Sequence, residues 1–477
     1  MGVDVWPVAE WLALVQYELL LFAGVFFLIG SIDELAIDLI YFVKRWRGEL
    51  RTLTMETHNL PSRKLSGLAV VMIPAWREEK VIAHTVTHAL SAWPHDDLRI
   101  YVGCYANDPD TLEAAMRGAR GDPRLRIVVH AKEGPTSKAD CLNRIYAAMA
   151  HDEMRTGRVA RMVILHDAED MVDPSALPLL DRAIERAEFV QLPVLPMPQP
   201  DSRWIGSHYC EEFAESHGKA MVVRAALATG LPAAGVGCAF ERQMLAEMEL
   251  QRGEVGPFAE RSLTEDYELG LRVALAGGRS RFLRVRDKAG RLVATRAYFP
   301  SDIASAVQQK SRWVHGIALQ GWDRLGWSRG MGEWWMRMRD RRGPFAALVL
   351  FTGYVLAVLG GLSFLLMQLG TGAAWRPNGL LLWLLWLNLG SLIWRASMRF
   401  AFTAREYGWA EGLRALLRIP VANVISIMAG RRALFAYVRT LAGAAPKWDK
   451  TEHDIHPAHA RDESVLCSQR PLDEAAK

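Results

Sequence analysis

Three groups of residues have the types and spacing to act on one substrate: Asp167-Ala168-Glu169-Asp170, Thr264-Glu265-Asp266 and Gln309-Lys310-Ser311-Arg312-Trp313. A hard divalent cation takes oxygen ligands, commonly one or two carboxylates completed by substrate phosphates and water. Asp167 and Glu169 alternate at the end of an expected strand, so one extended turn aims both at one Mg²⁺ or Mn²⁺, with Asp170 opening the next loop. Thr264 reads as an N-cap before a helix over 267–276, and acids in a first turn suit the helix dipole. A carboxylate fixed there is equally placed to take a hydroxyl proton; Asp266 is the expected base, with Glu265 beside it. Gln309, Arg312 and Trp313 fall within just over one helical turn and share a face. Trp offers a platform for a sugar ring and Arg a partner for phosphate, although the same box also suits a helix anchored among lipid headgroups. In this order, ahead of a long uncharged segment, the three groups suggest sugar transfer at a bilayer surface.

Such groups need a frame. Leu68–Ala75, Ile100–Tyr105, Leu125–His130 and Met162–His166 are compact apolar runs with polar or turn residues at their ends, as buried strands are. Helices are expected between them over 79–92, 109–120 and 137–150. This alternation predicts an α/β fold with a mostly parallel, doubly wound sheet, whose ligands bind beyond the carboxyl ends of the strands. The polar clusters Pro74-Ala75-Trp76-Arg77-Glu78-Glu79, Ala106-Asn107-Asp108 and Asp167–Asp170 all sit at such ends. No Gly-x-Gly-x-x-Gly follows the first strand and no Gly-Lys-Ser/Thr occurs, which excludes the usual dinucleotide and P-loop signatures.

The chain, 477 residues long, exceeds one typical core and calls for a soluble domain of up to about 250 residues plus something else. Residues 345–369 run without a charge, and roughly 20 apolar residues cross a hydrocarbon core. Residues 379–394 reach that length if the helix continues to about Phe402. Residues 17–43 are apolar apart from four acids; their start is acidic, unlike a signal peptide's, so a retained span is expected. Lys and Arg follow the first span (Lys44, Arg45, Arg47, Arg51), precede the second (Arg337, Arg339, Arg341, Arg342) and close the third (Arg395, Arg399, Arg405), which places 44–343 in the cytoplasm and 370–378 outside. Glu34 and Asp38 share a spacing of four with Arg395 and Arg399, and these pairs are expected to face one another.

The remaining features constrain less. Trp313, Trp322 and Trp327 mark 301–327 as a helical segment at headgroup level, and 412–441, interrupted by Pro420, reads as interfacial. The last thirty or so residues read as a loose tail, with His453, His456 and His459 a weak metal motif. Five cysteines (Cys104, Cys141, Cys210, Cys238, Cys467) without Cys-x-x-Cys spacing read as reduced and structural. A net charge of +4 indicates no nucleic-acid partner.

Ile73–Glu79, Ser137-Lys138-Ala139-Asp140-Cys141-Leu142-Asn143 and the three opening groups, in that order, resemble the motifs of family 2 membrane glycosyltransferases, the inverting GT-A enzymes that include cellulose and hyaluronan synthases. Gly235–Phe240, Arg418-Ile419-Pro420 and Lys447–His453 are similar, more narrowly, to a bacterial inner-membrane subfamily called phage adsorption protein B, whose longer members add a cyclic di-GMP-sensing domain beyond the length of this chain. The resemblance implies a GT-A domain over 51–300, between an N-terminal span and basic flank (1–50) and interfacial helices carrying the Gln/Arg/Trp box (301–343). Two spans (344–405), further interfacial helices (406–445) and a tail (446–477) follow.

It also implies roles. Glu78, Asn107 and Asp108 would contact the nucleoside and Lys138 the uracil or phosphate. Asp167 and Glu169 would hold metal and diphosphate, Asp266 would be the base, and Gln309, Arg312 and Trp313 would shape the acceptor and pyrophosphate site. Arg77 departs from the family's frequent Asn, and Glu169 from the second Asp of the usual Asp-x-Asp. The implied function is transfer of a sugar, an N-acetylhexosamine by the narrower resemblance, from a UDP-sugar to a growing exopolysaccharide at the inner membrane, with an outer-membrane export partner. Single transfer onto a polyprenyl-phosphate lipid, or a non-catalytic adsorption scaffold, remain the alternatives.

Overall fold

Along Leu68–Pro74 alternate side chains enter two different cores, Ala69, Val71 and Ile73 one and Val70 and Met72 the other. A strand buried on both faces belongs in the middle of a sheet covered by helices on both sides. The computed structural model, which describes residues 8–50, 52–56, 60, 62–199, 201–369, 378–443 and 455–458, has that sheet. Its strands are β1 (Leu68–Pro74), β2 (Leu98–Tyr105), β3 (Leu125–His130), β4 (Ala160–Leu165), β5 (Phe189–Gln191), β6 (Cys238–Glu241) and β7 (Ser280–Phe282). Their order is β3-β2-β1-β4-β6-β5-β7, parallel except for β6, which opposes both its neighbours. Val71 lies opposite Ile100 on one side and Ile164 on the other. The four expected strands are present with limits shifted by at most two residues. The later ones are three or four residues long and give no readable period.

The helices used below are α1 (Val8–Trp46), α2 (Ile82–Ala92), α3 (Pro109–Ala119), α4 (Lys138–Thr156), α5 (His208–Glu215), α6 (Glu265–Leu275), α7 (Ile303–Trp313), α8 (Met331–Arg341), α9 (Gly343–Gln368), α10 (Gly379–Tyr407), α11 (Trp409–Leu417) and α12 (Ile419–Leu441). Ile82, Val86 and Ala89 of α2 and Ala114 and Ala115 of α3 cover one face of the sheet, and Leu142, Ile145 and Met149 of α4 the other. Each such fully buried Leu, Ile or Val contributes roughly 1.5–3 kcal/mol. Cys104, Cys141, Cys210 and Cys238 are buried and free.

α1, α9, α10 and α12 are each long and apolar enough to cross a membrane. The three expected spans fall within α1, α9 and α10, and α1 touches both of the others: Gln16 donates to Ser363 Oγ at 2.7 Å, and Asn388 to the Gly24 carbonyl at 2.9 Å. Ile37 and Tyr41 near the end of α1, Phe402 near the end of α10, Met336 of α8 and Val223 form one small core, so these helix ends meet on the side of the sheet domain. Arg395 acts on Glu34 through its charge, as expected, but the ion pairs of the α1 acids are made with other groups. Asp33 and Glu34 each pair with Arg339 and Arg342. Asp38 pairs with Lys219 at 2.5 Å and accepts from the Trp394 indole at 2.7 Å. Arginines just before the second span were available at the same depth, and helix spacing alone could not choose between the two sets.

The expected interruption of 412–441 falls at Arg418, between α11 and α12 and two residues ahead of Pro420; the departure is the length of α12. Pro420 sits in its first turn, where a missing N–H costs nothing, and the helix runs unbroken for 23 residues, making it a fourth candidate span by length and composition. Its contacts keep both ends beside α7 and the segment that follows it. Near its start Ile425 packs with Tyr209, Ala306 and Val307; near its end the Tyr437 hydroxyl donates to Asp323 at 2.8 Å. Of the expected tail, residues 455–458 are described and meet the sheet domain, with His456 buried. Residues 370–377, Arg51, Lys447–His453, His459 and Cys467 lie outside the described residues.

Candidate active site

The chain passes from β1 through β2 to β3 on one side and returns at β4 on the other, so the crevice between the ends of β1 and β4 is the switch point where such sheets bind ligands. A cavity of about 500 Å³ opens there. Glu78 enters it from the end of β1, Lys138 from the start of α4, Asp167 and Glu169 from the turn after β4, Glu265 and Asp266 from the start of α6, and Gln309, Arg312 and Trp313 from α7. Asn107 and Asp108 do not line it. Asn107 exchanges two hydrogen bonds with the Gly134 backbone (2.9 and 2.8 Å), and Asp108 accepts the Arg77 N–H at 2.6 Å, where Arg77 has left-handed φ of 54°. Both hold loops that border the cavity.

Asp170 does more than open a loop. Its buried carboxylate accepts from His166 Nδ1 at 2.8 Å and from the Asp167 N–H at 3.0 Å, which fixes the turn and leaves Asp167 and Glu169 directed at the cavity. Burial pushes the Asp170 carboxyl above its ordinary range, with His166 opposing.

One ammonium organises the other carboxylates. Lys138 Nζ lies 2.5 Å from Asp167 and 4.0 Å from Glu265. Burial works against its charge, but Asp167, Glu265 and Asp266 outweigh this and hold Lys138 protonated. Burial, then the neighbouring Asp266, pushes the Glu265 carboxyl up to about 7, while Lys138 pulls it down. Burial also raises Asp266, again opposed by Lys138. Because Lys138 lowers both, Lys138→Met should move the acidic limb of the pH–rate profile to higher pH; an unmoved limb would mean that neither carboxyl sets it.

The two acids differ in access. Glu265 is 4% exposed, whereas Asp266 is half-buried, with Oδ1 accepting its own helix's Tyr267 N–H at 2.8 Å. Gly235, at φ 75°, lies so close to Asp266 Oδ2 that any Cβ would displace it. Thr264 occupies the N-cap position, but its hydroxyl makes no capping bond; it packs against Gly316, where a Cβ would clash. That contact docks the turn after the box helix onto the start of α6.

α7 runs into a π-helical turn, Val314–Gln320, and a second such turn, Ser216–Ala220, follows α5. Both contribute to the cavity, through Ile317 and through Ser216, His217 and Ala220, as π-bulges often do at functional sites. The buried Oε1 of Gln309 has no protein hydrogen-bond partner among the described residues. Phe213, Phe299 and Trp313 form an aromatic wall, with Phe213 and Phe299 rings 5.2 Å apart. His217 is no proton carrier: Nδ1 accepts the Val194 N–H at 2.9 Å, and burial, then Arg284, pushes it down to about 3. Trp322, Trp327 and Trp334 form a separate, half-exposed cluster, with Arg341 over the first two rings at 4.8 and 4.5 Å.

Sequence reasoning missed the membrane-side floor of the cavity. Arg339, Asp340 and Arg342 line it, with Arg339 and Arg342 tied to Asp33 and Glu34 of α1. As a basic flank they carried an orientation signal only. Among the described residues no group of three His, Cys, Asp or Glu can hold a metal. Asp167 and Glu169 therefore supply two carboxylates at most, a set that fits a cation completed by phosphates and water.

The family model described as "Glycosyltransferase like family 2" matches residues 67–316. "Bacteriophage adsorption protein B" of Escherichia coli (strain K12) is 34% identical over 481 residues, covering 94% of this chain and 63% of that protein. "Bacteriophage N4 adsorption protein B" of Escherichia coli O157:H7 matches to the same extent, so the chain spans less than two thirds of either relative. Among solved structures, the mannosyltransferase PcManGT from Pyrobaculum calidifontis, in complex with GDP-Man and Mn²⁺, aligns at TM-score 0.47 with 15% identity, over 87% of this chain and 99% of that one. Glucosyl-3-phosphoglycerate synthase from Mycobacterium tuberculosis, in complex with Mg²⁺ and UDP, aligns at 0.36 with 16% identity, over 58% and 88%.

Proposed function

The chain belongs to the glycosyltransferase-like family 2, and from that premise we propose that it is an inverting transferase. It moves a sugar, most simply an N-acetylhexosamine, from a UDP donor to a growing exopolysaccharide at the cytoplasmic face of the bacterial inner membrane. The observation that carries this reading is the meeting of Asp167 and Glu169, Asp266, and Gln309, Arg312 and Trp313 around one cavity whose floor is tied to the first span.

Asp266 takes the proton of the acceptor hydroxyl as that oxygen bonds to the anomeric carbon, and the bond from that carbon to the diphosphate breaks on the opposite face. Trp313, with Phe213 and Phe299, offers the ring surface against which the acceptor sugar lies. Arg312 and Lys138 place positive charge where negative charge collects on the leaving diphosphate. Asp167 and Glu169 would hold a Mg²⁺ or Mn²⁺, which offsets the same charge when bound. Glu265, buried against Lys138, keeps that ammonium among the carboxylates.

Purified full chain in lipid discs with Mn²⁺ should release UDP from one or more of a panel of UDP-sugars, and stop when the metal is chelated. No release from any donor would overturn the reading. Product length then divides polymer from lipid acceptor: a ladder of oligomers supports extension, and a single sugar on polyprenyl phosphate supports the lipid route.

A further inference from the structure

The turn that carries Asp167 and Glu169 is bonded from behind through alternate carbonyls. Thr85 Oγ1 of α2 donates to the Ala168 carbonyl, and His88 Nε2 of α2 bonds that of Val172 at 2.9 Å. Between them the Asp170 carbonyl bonds to Nε2 of His456, 3.2 Å away and 286 residues further along the chain. The tautomer follows from geometry: His456 Nδ1 accepts the Ala458 N–H at 3.1 Å, so Nε2 carries the hydrogen and donates. The ring is 1% exposed and stacks on His84, with centroids 6.2 Å apart and planes 16° from parallel.

We propose that His456 is a positioning residue for the donor site, holding the Asp167–Glu169 turn in the shape that receives metal and diphosphate. This rests on the glycosyltransferase reading above. The argument is one of placement. A residue beyond α12 has no need to reach the sheet domain to keep α12 in place, yet it bonds the one carbonyl between two that α2 already secures. Asp170 is the residue whose carboxylate holds the Asp167 N–H, so a shift of its peptide tilts Asp167 directly. His456 lines no part of the cavity, and it acts through Asp170 rather than on substrate.

Two variants of the full chain separate this role from packing. His456→Phe keeps a stacking ring and removes the donor; His456→Gln restores an N–H near the Nε2 position. In His456→Phe the KM for the UDP-sugar and the Mn²⁺ concentration for half-maximal activity should rise about tenfold, the worth of one hydrogen bond, with kcat and the acceptor KM within twofold of wild type. His456→Gln should recover most of that rise. Equal donor KM in wild type and the Phe variant, a loss confined to kcat, no rescue by Gln, or failure of the Phe variant to accumulate in membranes would each overturn the proposal. An inactive wild type that also fails to bind UDP with Mn²⁺ would instead remove the glycosyltransferase reading, and this inference with it.

Discussion

Asp266→Asn should lower kcat for UDP release by roughly 10²–10⁴-fold, the usual worth of a general base, while the donor KM stays near wild type. Asparagine keeps the shape and keeps the oxygen that accepts the Tyr267 N–H, so thermal stability should change little. The neighbouring acid is the less accessible of the two. Glu265 is buried at the start of the same helix, 4.0 Å from Lys138, and an acceptor sugar in the cavity meets Asp266 first. Glu265→Gln should therefore cost less in turnover and should lower the grip on Lys138, seen as a shifted pH profile. Burial raises both carboxyls and Lys138 lowers them, so activity should fall below the pH at which the pair takes up a proton. Wild-type turnover by Asp266→Asn would assign the base elsewhere.

The cavity groups were legible because their chemistry is carried by residue type at short spacing: Asp167 and Glu169 on one turn, Glu265 and Asp266 at one helix start, and Gln309, Arg312 and Trp313 on one face. The sheet was legible because β1 to β4 are apolar runs bounded by polar turns. What stayed hidden depends on side-chain direction or on distant partners. Asn107 and Asp108 sit at a strand end as expected, yet their side chains turn to the backbone at Gly134 and Arg77. The partners of Asp33 and Glu34 lie some 300 residues away, and a basic flank looks the same whether it meets lipid or a carboxylate. His456 stands in a polar stretch without period, and nothing local says that it is buried.

Arg418 should prove the most costly single position for stability. Its side chain is fully buried, as is Glu211 at 1% exposure. The guanidinium meets Glu211 through two bonds of 3.1 and 2.9 Å, Glu411 at 2.9 Å and the Arg203 carbonyl at 2.9 Å. Arg418→Met leaves the buried Glu211 without its hydrogen-bonded partner, although the charge of Arg399 still acts on it, and this costs about 3–5 kcal/mol. Glu211 lies on α5 beside Glu212 and Phe213 of the cavity wall, and Arg418 sits at the junction of α11 and α12, so the pair fastens the C-terminal helices to the site. Burial already raises the Glu211 carboxyl, and Arg418 opposes that rise; without the arginine it rises further. A carboxyl with a raised folded pKa loses stability as pH climbs through that value, so the defect of Arg418→Met should be smaller near pH 5 than at pH 8. Glu211→Gln in the same chain should restore part of the lost stability, because no charge is then stranded. Thermal unfolding of the detergent-solubilised single and double variants at both pH values measures this, and a pH-independent defect with no recovery in the double variant would mean that packing around Arg418, rather than its charge, holds the helices there.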